Sequence, residues 1–201
     1  MDATWWRRGD SRALEGVVGL ALLLVGLFGV LFPILGVTGP LAPVDSRTVA
    51  LDGAASVPGA AAGDGVELRG LRGAEVVFAD PGLAERILLV LPGVVGAVLV
   101  VVILERLMRM ARTFRDGDVF VPQNWRRLTV VAVAVLLIAV FVPLVRVLTT
   151  DALVSGTPVE SSVRLEADLS GVWVLVSLLL FAAAGAFRHG TRLREDTEGL
   201  V

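Results

Sequence analysis

The sequence predicts an α-helical integral membrane protein with four transmembrane helices and a small extracytoplasmic antiparallel β-sheet formed by the two outer loops. Hydrophobic residues make up 55% of the chain, and its mean hydropathy is +0.80. Short segments between the first two and the last two apolar runs alternate apolar and polar residues, which is typical of strands. Most directly, four runs of 18 to 21 residues contain no charged side chain: 16–36, 87–104, 128–145 and 169–187.

These uncharged runs match the thickness of a bilayer. About 20 helical residues, each rising 1.5 Å, cross a hydrocarbon core of about 30 Å. A helix satisfies its own backbone hydrogen bonds in lipid, and runs this continuous are not typical of barrel strands. We therefore predict one four-helix membrane domain over residues 1–201, with spans at about 14–36, 85–106, 127–146 and 168–188. The extracytoplasmic β cap comprises 37–84 and 147–167, and a cytoplasmic Arg-rich turn comprises 107–126.

The distribution of arginine predicts the orientation of the spans. All 18 basic residues are Arg, and 12 of them lie in segments 1–13, 105–127 and 188–201. Basic loops stay in the cytoplasm, so both termini and the middle loop are expected there. The first span is expected to be retained, because 21 uncharged residues exceed the roughly 7–15 of a signal-peptide core. We thus expect a multi-pass protein of the bacterial cytoplasmic (plasma) membrane.

Four segments of the outer loops are expected to form the strands of the cap. Each is short and bounded by Gly, Pro or Asp, and most alternate apolar and polar residues. Three belong to the first outer loop and one to the second, so the predicted sheet joins both loops. The four segments are 44–51, 65–71, 74–80 and 159–167.

Local signals predict the helix ends and the close packing of the helices. Asp80 followed by Pro81 is a good N-cap with proline in the first turn, and the second helix is expected to run on towards Phe114. The prolines inside the spans are interpreted as tolerated kinks or helix ends, and hinges in the outer halves of the helices are the alternative. Small residues let membrane helices approach closely, which predicts packing roles for Gly26, Gly29, Gly93, Gly96 and Ala97.

The residues of segment 114–128 are typical of a structured turn between the second and third helices. Gly117 can adopt the left-handed conformation that ends a helix. We expect Phe120 to be buried between the helix ends and Asn124 to cap the third helix through its side-chain oxygen. Trp125 is expected at the membrane interface, where its amphipathic ring is favoured.

Basic residues surround this turn and predict a docking surface. The favoured interpretation is contact with the anionic headgroups of membrane lipids, at about 1 kcal/mol for each arginine. The alternative is an acidic cytoplasmic partner, and both uses can coexist. Direct nucleic-acid binding is not expected, because the cluster is short and lacks a recognition fold. The residues are Arg106, Arg109, Arg112, Arg115, Arg126 and Arg127.

The turn and the C-terminal tail together resemble a known family. The turn carries Gly117, Phe120 and Asn124, and the tail carries Gly190, Leu193 and Asp196 before a final aliphatic residue. With the four-span layout, these two motifs are similar to a bacterial membrane family known as domain of unknown function 2975. The resemblance implies no established activity and no catalytic residue. It does imply a partnership with a cytoplasmic regulator of helix-turn-helix type.

No residue set for catalysis, for a metal or for a cofactor is apparent in the sequence. The chain has no Cys and a single histidine, His189, next to Arg188. A lone His beside a cation is a poor metal ligand. Glu15 and Glu105 lie at span ends, and Glu105 is expected to pair with Arg106, Arg109 or Arg188 rather than to serve an ion pathway.

These observations favour a non-enzymatic membrane protein that is regulatory or sensory, with a cytoplasmic docking surface. The alternative is a subunit of an oligomeric transporter or channel, since four spans with few internal polar groups cannot line a hydrophilic path alone. A lipid-modifying enzyme is the weakest hypothesis, because no nucleophile with a matching base is present.

Overall fold

The computed structural model describes residues 15–51, 73–115, 121–157, 160 and 163–198. Within these residues the protein is mostly helical, and four helices are long and apolar enough to cross a membrane. The predicted set of four apolar helices is therefore confirmed. In chain order the elements are α1 (Glu15–Thr38), β1 (Ser46–Leu51), β2 (Gly73–Val77), α2 (Leu83–Arg115), α3 (Pro122–Val154), β3 (Val163–Arg164) and α4 (Gly171–Glu198).

The three strands form one antiparallel sheet in the order β2-β1-β3. Ser46 pairs with Val77 at one end of the β1–β2 ladder, and Leu51 pairs with Val163 in the β1–β3 ladder. This confirms a sheet that joins the two loops. The strands are shorter than predicted, since β3 has only two residues, and the predicted strand at 65–71 lies outside the described residues.

The start of α2 differs from the predicted cap. Asp80 and Pro81 precede the helix, which begins at Leu83. The N–H of Gly82 donates to Glu85 Oε2 over 2.7 Å, which is the carboxylate half of a capping box. The predicted run of α2 towards Phe114 is confirmed, because the helix ends at Arg115.

Contacts divide the chain into two compact units. The turn unit comprises Met1–Phe32, Gly93–Val142 and Leu169–Val201, and the sheet unit comprises Pro33–Pro92 and Pro143–Asp168. In the turn unit, an apolar cluster joins three helices through Met110, Leu128 and Ala184. Ser177, the polar residue in the middle of the last uncharged run, is fully buried there and donates to Ala132 O over 3.0 Å.

Close helix packing in the turn unit occurs at some of the predicted small residues and not at others. Gly29 lies in a π-helical stretch of α1 (Val25–Leu31), and a Cβ added there would lie 2.7 Å from Ala97 Cβ. A Cβ added at Gly96 would lie 3.9 Å from Val142 Cγ1, which is an ordinary van der Waals contact. The predicted packing role of Gly26 and Gly93 is wrong, because a Cβ at either position would meet nothing within 4 Å.

This difference gives a matched pair of substitutions. Gly29→Ala is expected to destabilise the protein by about 1–3 kcal/mol, because the new methyl overlaps Ala97. Gly26→Ala is expected to be neutral or slightly stabilising, because alanine is the better helix former. Thermal unfolding in detergent micelles measures both. Adding Ala97→Gly to Gly29→Ala should restore the midpoint, and equal midpoints for the two single variants would contradict the close approach.

Candidate functional site

A partly buried polar cluster, centred on the buried Asn124, joins the end of α2 to the start of α3 in the turn unit. Asn124 is 0% exposed. Its Oδ1 lies 3.1 Å from Thr113 Oγ1 and accepts a hydrogen bond of 3.1 Å from Arg127 Nη1. Arg127 Nη1 also donates to the carbonyl of Arg109 over 3.0 Å. We call Thr113, Asn124, Arg127 and the Arg109 carbonyl the Asn124 cluster.

The predicted capping role of Asn124 is wrong. Helix α3 begins two residues earlier, at Pro122, where proline is favoured because its missing N–H needs no partner. Asn124 therefore lies inside the first turn of α3. Its side-chain oxygen instead bonds to Thr113 of α2 and to Arg127, which lies one turn later in α3.

The predicted docking arginines do not form one uniform surface. Arg109 pairs with Glu105 one turn earlier, and Arg106 Nε lies 4.0 Å from Glu105 Oε2. The predicted pairing of Glu105 is thus confirmed with these two residues. Arg112 is exposed, whereas Arg127 is held in the Asn124 cluster. The side chain of Arg115 and residues Gly117 and Phe120 lie outside the described part of the chain.

Arg126 has a different role, because it lies on an aromatic ring. Its Cζ is 5.5 Å from the centroid of the Trp125 ring, and Arg188 Cζ from α4 is 5.3 Å from the same centroid. Distances below about 6 Å are typical of cation–π contacts. The sequence did not predict that Arg188 would join this group, since its expected neighbour was Glu105.

The residues of the tail motif lie on helix α4. Gly190 is half-buried and Leu193 is 62% exposed, whereas the side chain of Asp196 lies outside the described residues. Thr191 is buried and donates to Phe187 O over 2.9 Å within the same helix. The tail motif is therefore a continuation of the helix and not a separate terminal element.

A second buried polar cluster lies in the sheet unit, and its centre is Arg47 of β1. This side chain is only 8% exposed. Nη1 donates to Thr149 Oγ1 over 2.8 Å and to Thr150 Oγ1 over 3.1 Å. Nη2 donates to the carbonyls of Leu88 and Leu89 over 2.7 and 2.8 Å. We call these groups the Arg47 cluster.

The backbone of α2 explains why Leu88 O can accept a bond from this side chain. A helical carbonyl normally accepts from the N–H four residues later. For Leu88 that residue is Pro92, which lies inside α2 and has no N–H. Arg47 therefore supplies to the half-buried carbonyl of Leu88 the donor that the proline removes.

The hydroxyl oxygens of Thr149 and Thr150 in α3 can each accept a hydrogen bond from Arg47. Thr149 Oγ1 lies 2.8 Å from Val145 O, and Thr150 Oγ1 lies 2.7 Å from Arg146 O. Each hydroxyl thus donates its proton within α3 and retains lone pairs that accept from Arg47.

The charge of Arg47 is stabilised by neutral oxygens. Burial lowers the pKa of Arg47, and the nearby cation of Arg146 lowers it further. Among the described residues no acidic side chain forms an ion pair with it. Arginine nevertheless stays protonated in proteins. The cluster is therefore a buried cation whose four hydrogen-bond acceptors are carbonyl and hydroxyl oxygens.

Sequence reasoning missed the Arg47 cluster. Two signals were available: Arg47 lies two residues before the buried Val49 on the same face of β1, and Pro92 interrupts a helix. Residues two apart share one face of a strand, so a long cation on an apolar face implied an acceptor nearby. Nothing local identified which carbonyl it would meet.

Comparison with known proteins found no matching family model, no similar curated protein and no similar solved structure. The resemblance of the turn and tail motifs to a known family therefore stays a prediction. In the part of the chain that the structure describes, no group of three or more His, Asp or Glu residues is placed to hold a metal ion.

Proposed function

We propose that this chain is a non-enzymatic, multi-pass protein of the bacterial cytoplasmic membrane with a regulatory or sensory role. In this proposal both termini and the Arg-rich turn face the cytoplasm, and the three-stranded sheet lies on the outer side. The turn docks an acidic cytoplasmic partner. The family resemblance adds a candidate partner class, a small regulator of helix-turn-helix type.

The observation that carries the docking proposal is the Asn124 cluster. Burying polar groups is costly unless they are satisfied, and a satisfied network fixes one geometry. Here the network joins the last turns of α2 to the first turn of α3. A surface of fixed geometry loses less side-chain and backbone entropy on binding than a flexible loop.

The basic groups next to this cluster suit an acidic partner. The side chain of Arg109 is 51% exposed despite its pairing with Glu105, and Arg112 is exposed one turn later. Guanidinium groups bind carboxylates through paired hydrogen bonds. Residues three apart are neighbours on a helix surface, so Arg109 and Arg112 present two cations to one partner.

The sensory part of the proposal is supported by the Arg47 cluster. One side chain of β1 bonds to the backbone of α2 and to two hydroxyls of α3. A ligand that moves β1 would change the bonds of both helices in this unit. We propose that this is how an external signal is received.

Photo-crosslinking in cells tests the proposed function. A photoreactive amino acid in place of Arg112 is expected to capture an acidic cytoplasmic protein, whereas the same probe in place of Glu166, exposed after β3, is expected to capture none. Adding Arg109→Gln should reduce the yield at position 112 by about fivefold, as one exposed contact to a charged partner is lost. The matched control is Arg164→Gln, which removes an exposed arginine of β3.

Each outcome bears on a separate part of the proposal. Capture of a cytoplasmic protein from position 166 would contradict the orientation. A yield at position 112 that does not change with Arg109→Gln would contradict docking by charge. Solute flux through the purified chain in liposomes would instead support the alternative function, a subunit of a transporter or channel.

A further inference from the structure

We propose that Trp125, Arg126 and Arg188 form a binding site for the phosphate of an anionic phospholipid. Two guanidinium groups, one from α3 and one from α4, lie 5.5 and 5.3 Å from the centroid of one indole ring. We call these three residues the Trp125 site. It goes beyond the proposed docking of a cytoplasmic partner and does not depend on it.

The position of the Trp125 site along the helices selects a membrane ligand. Trp125 and Arg126 lie just before the uncharged run 128–145, and Arg188 directly follows the uncharged run 169–187. These two run ends mark the level at which the hydrocarbon of a bilayer begins, and Trp is favoured there. Lipid phosphates lie at the same level. A ligand bound here would direct its apolar part along α3 and α4.

The two positive charges of the Trp125 site favour an anionic ligand. The two guanidinium carbons lie no more than about 11 Å apart, because both lie close to one ring centroid, so the site holds two positive charges beside a single indole. Neither arginine forms an ion pair with any acidic side chain that the structure describes. Glu105, the described carboxylate at the end of the neighbouring run, is paired with Arg109. An anion bound beside the ring would supply the negative charge that these two guanidinium groups do not receive from the described carboxylates.

The donors of the Trp125 site suit a phosphate group. A guanidinium presents a planar fork of N–H groups that matches phosphate oxygens. The ring stacking restricts where each fork can lie, so less side-chain entropy is lost on binding. The indole Nε1–H has no hydrogen-bond acceptor within the described residues and provides a further donor.

Lipid retention by the purified full chain tests this site. The protein in detergent is titrated with phosphatidylglycerol or phosphatidylcholine, and bound lipid is counted by native mass spectrometry. We expect tighter retention of phosphatidylglycerol. Arg126→Gln with Arg188→Gln should lower that retention about tenfold or more, at about 1 kcal/mol for each arginine near an anionic surface. The control pair Arg164→Gln with Arg192→Gln removes two exposed arginines that belong neither to the ring contacts nor to the docking surface, and should change it less than about twofold.

A second variant separates a defined site from a diffuse charge effect. Trp125→Leu keeps both arginines and removes the ring, so retention should still fall by about fivefold if the ring positions the cations. Unchanged thermal midpoints show that each variant remains folded. Equal retention of the two lipids, or an equal loss in the control pair, would overturn the proposal. Displacement of the lipid by millimolar glycerol 3-phosphate or by an acidic peptide would also overturn it, in favour of a soluble ligand.

Discussion

Replacing Arg47 with Met is expected to lower the free energy of unfolding by about 2–4 kcal/mol, because Leu88 O loses the donor that stands in for the N–H missing at Pro92, and the buried Leu89 O and two threonine hydroxyls lose a hydrogen bond each. Met fills a similar apolar volume but donates no hydrogen bond. The removal of a buried charge offsets part of this cost. Equilibrium unfolding of the purified protein in mixed micelles measures the change.

Pro92 makes this prediction specific. Pro92→Ala returns an N–H to α2, and that N–H can bond to Leu88 O within the helix. In the Pro92→Ala background, Arg47→Met should therefore cost about 1–2 kcal/mol less than it does alone. A double-mutant cycle compares the free energies of unfolding of the parent, the two single variants and the double variant. Strictly additive effects would show that Arg47 does not substitute for the missing N–H.

Two control variants separate the hydrogen-bond pattern from the charge. Arg47→Lys keeps the cation but replaces the planar fork with a compact ammonium, so it should recover only part of the stability. Arg164→Met removes an exposed arginine from the neighbouring strand and should change stability by less than about 0.5 kcal/mol. A loss from Arg164→Met as large as that from Arg47→Met would mean that net charge dominates.

The four helices could be predicted because each span must be an apolar run long enough to cross the bilayer hydrocarbon. Such a run is visible in one continuous stretch of sequence. The uncharged run 87–104 lies inside α2, and 128–145 lies inside α3. The helices extend farther than the runs, since Arg is a good helix former outside the apolar part. The predicted turn at 107–126 is thus helical up to Arg115 and again from Pro122.

The polar clusters could not be predicted in the same way, because their partners are distant in sequence. Arg47 bonds to Thr149, which is 102 residues away. Asn124 has the composition of a helix cap, and its local pattern favoured that role. In the fold, α3 begins at Pro122, and the side-chain oxygen of Asn124 bonds to Thr113 of α2 and to Arg127 of α3. Tertiary contacts override a local preference where a facing helix offers donors.

Replacing Asn124 with Leu is expected to lower the free energy of unfolding by about 1–3 kcal/mol, because it removes the buried oxygen that bonds to the half-buried Thr113 and Arg127. These two side chains keep only their bonds to the carbonyls of Met110 and Arg109. The effect should be local. Hydrogen exchange of the backbone amides near residues 109–113 and 124–127 should accelerate, whereas exchange in the strands should not change. Equilibrium unfolding and hydrogen exchange on the same samples measure both effects.

The control for this variant is Thr191→Val, which removes a buried hydroxyl that bonds only within its own helix. It should cost less than about 1 kcal/mol, because no group on another helix is left unsatisfied. Arg127→Met should resemble Asn124→Leu, and the two together should cost less than their sum, since both remove the same bond. Additive losses, or a loss from Thr191→Val as large as that from Asn124→Leu, would contradict the cluster as the fixed connection between α2 and α3. Because the docking proposal depends on this connection, Asn124→Leu should also reduce crosslinking at position 112 without changing any exposed charge.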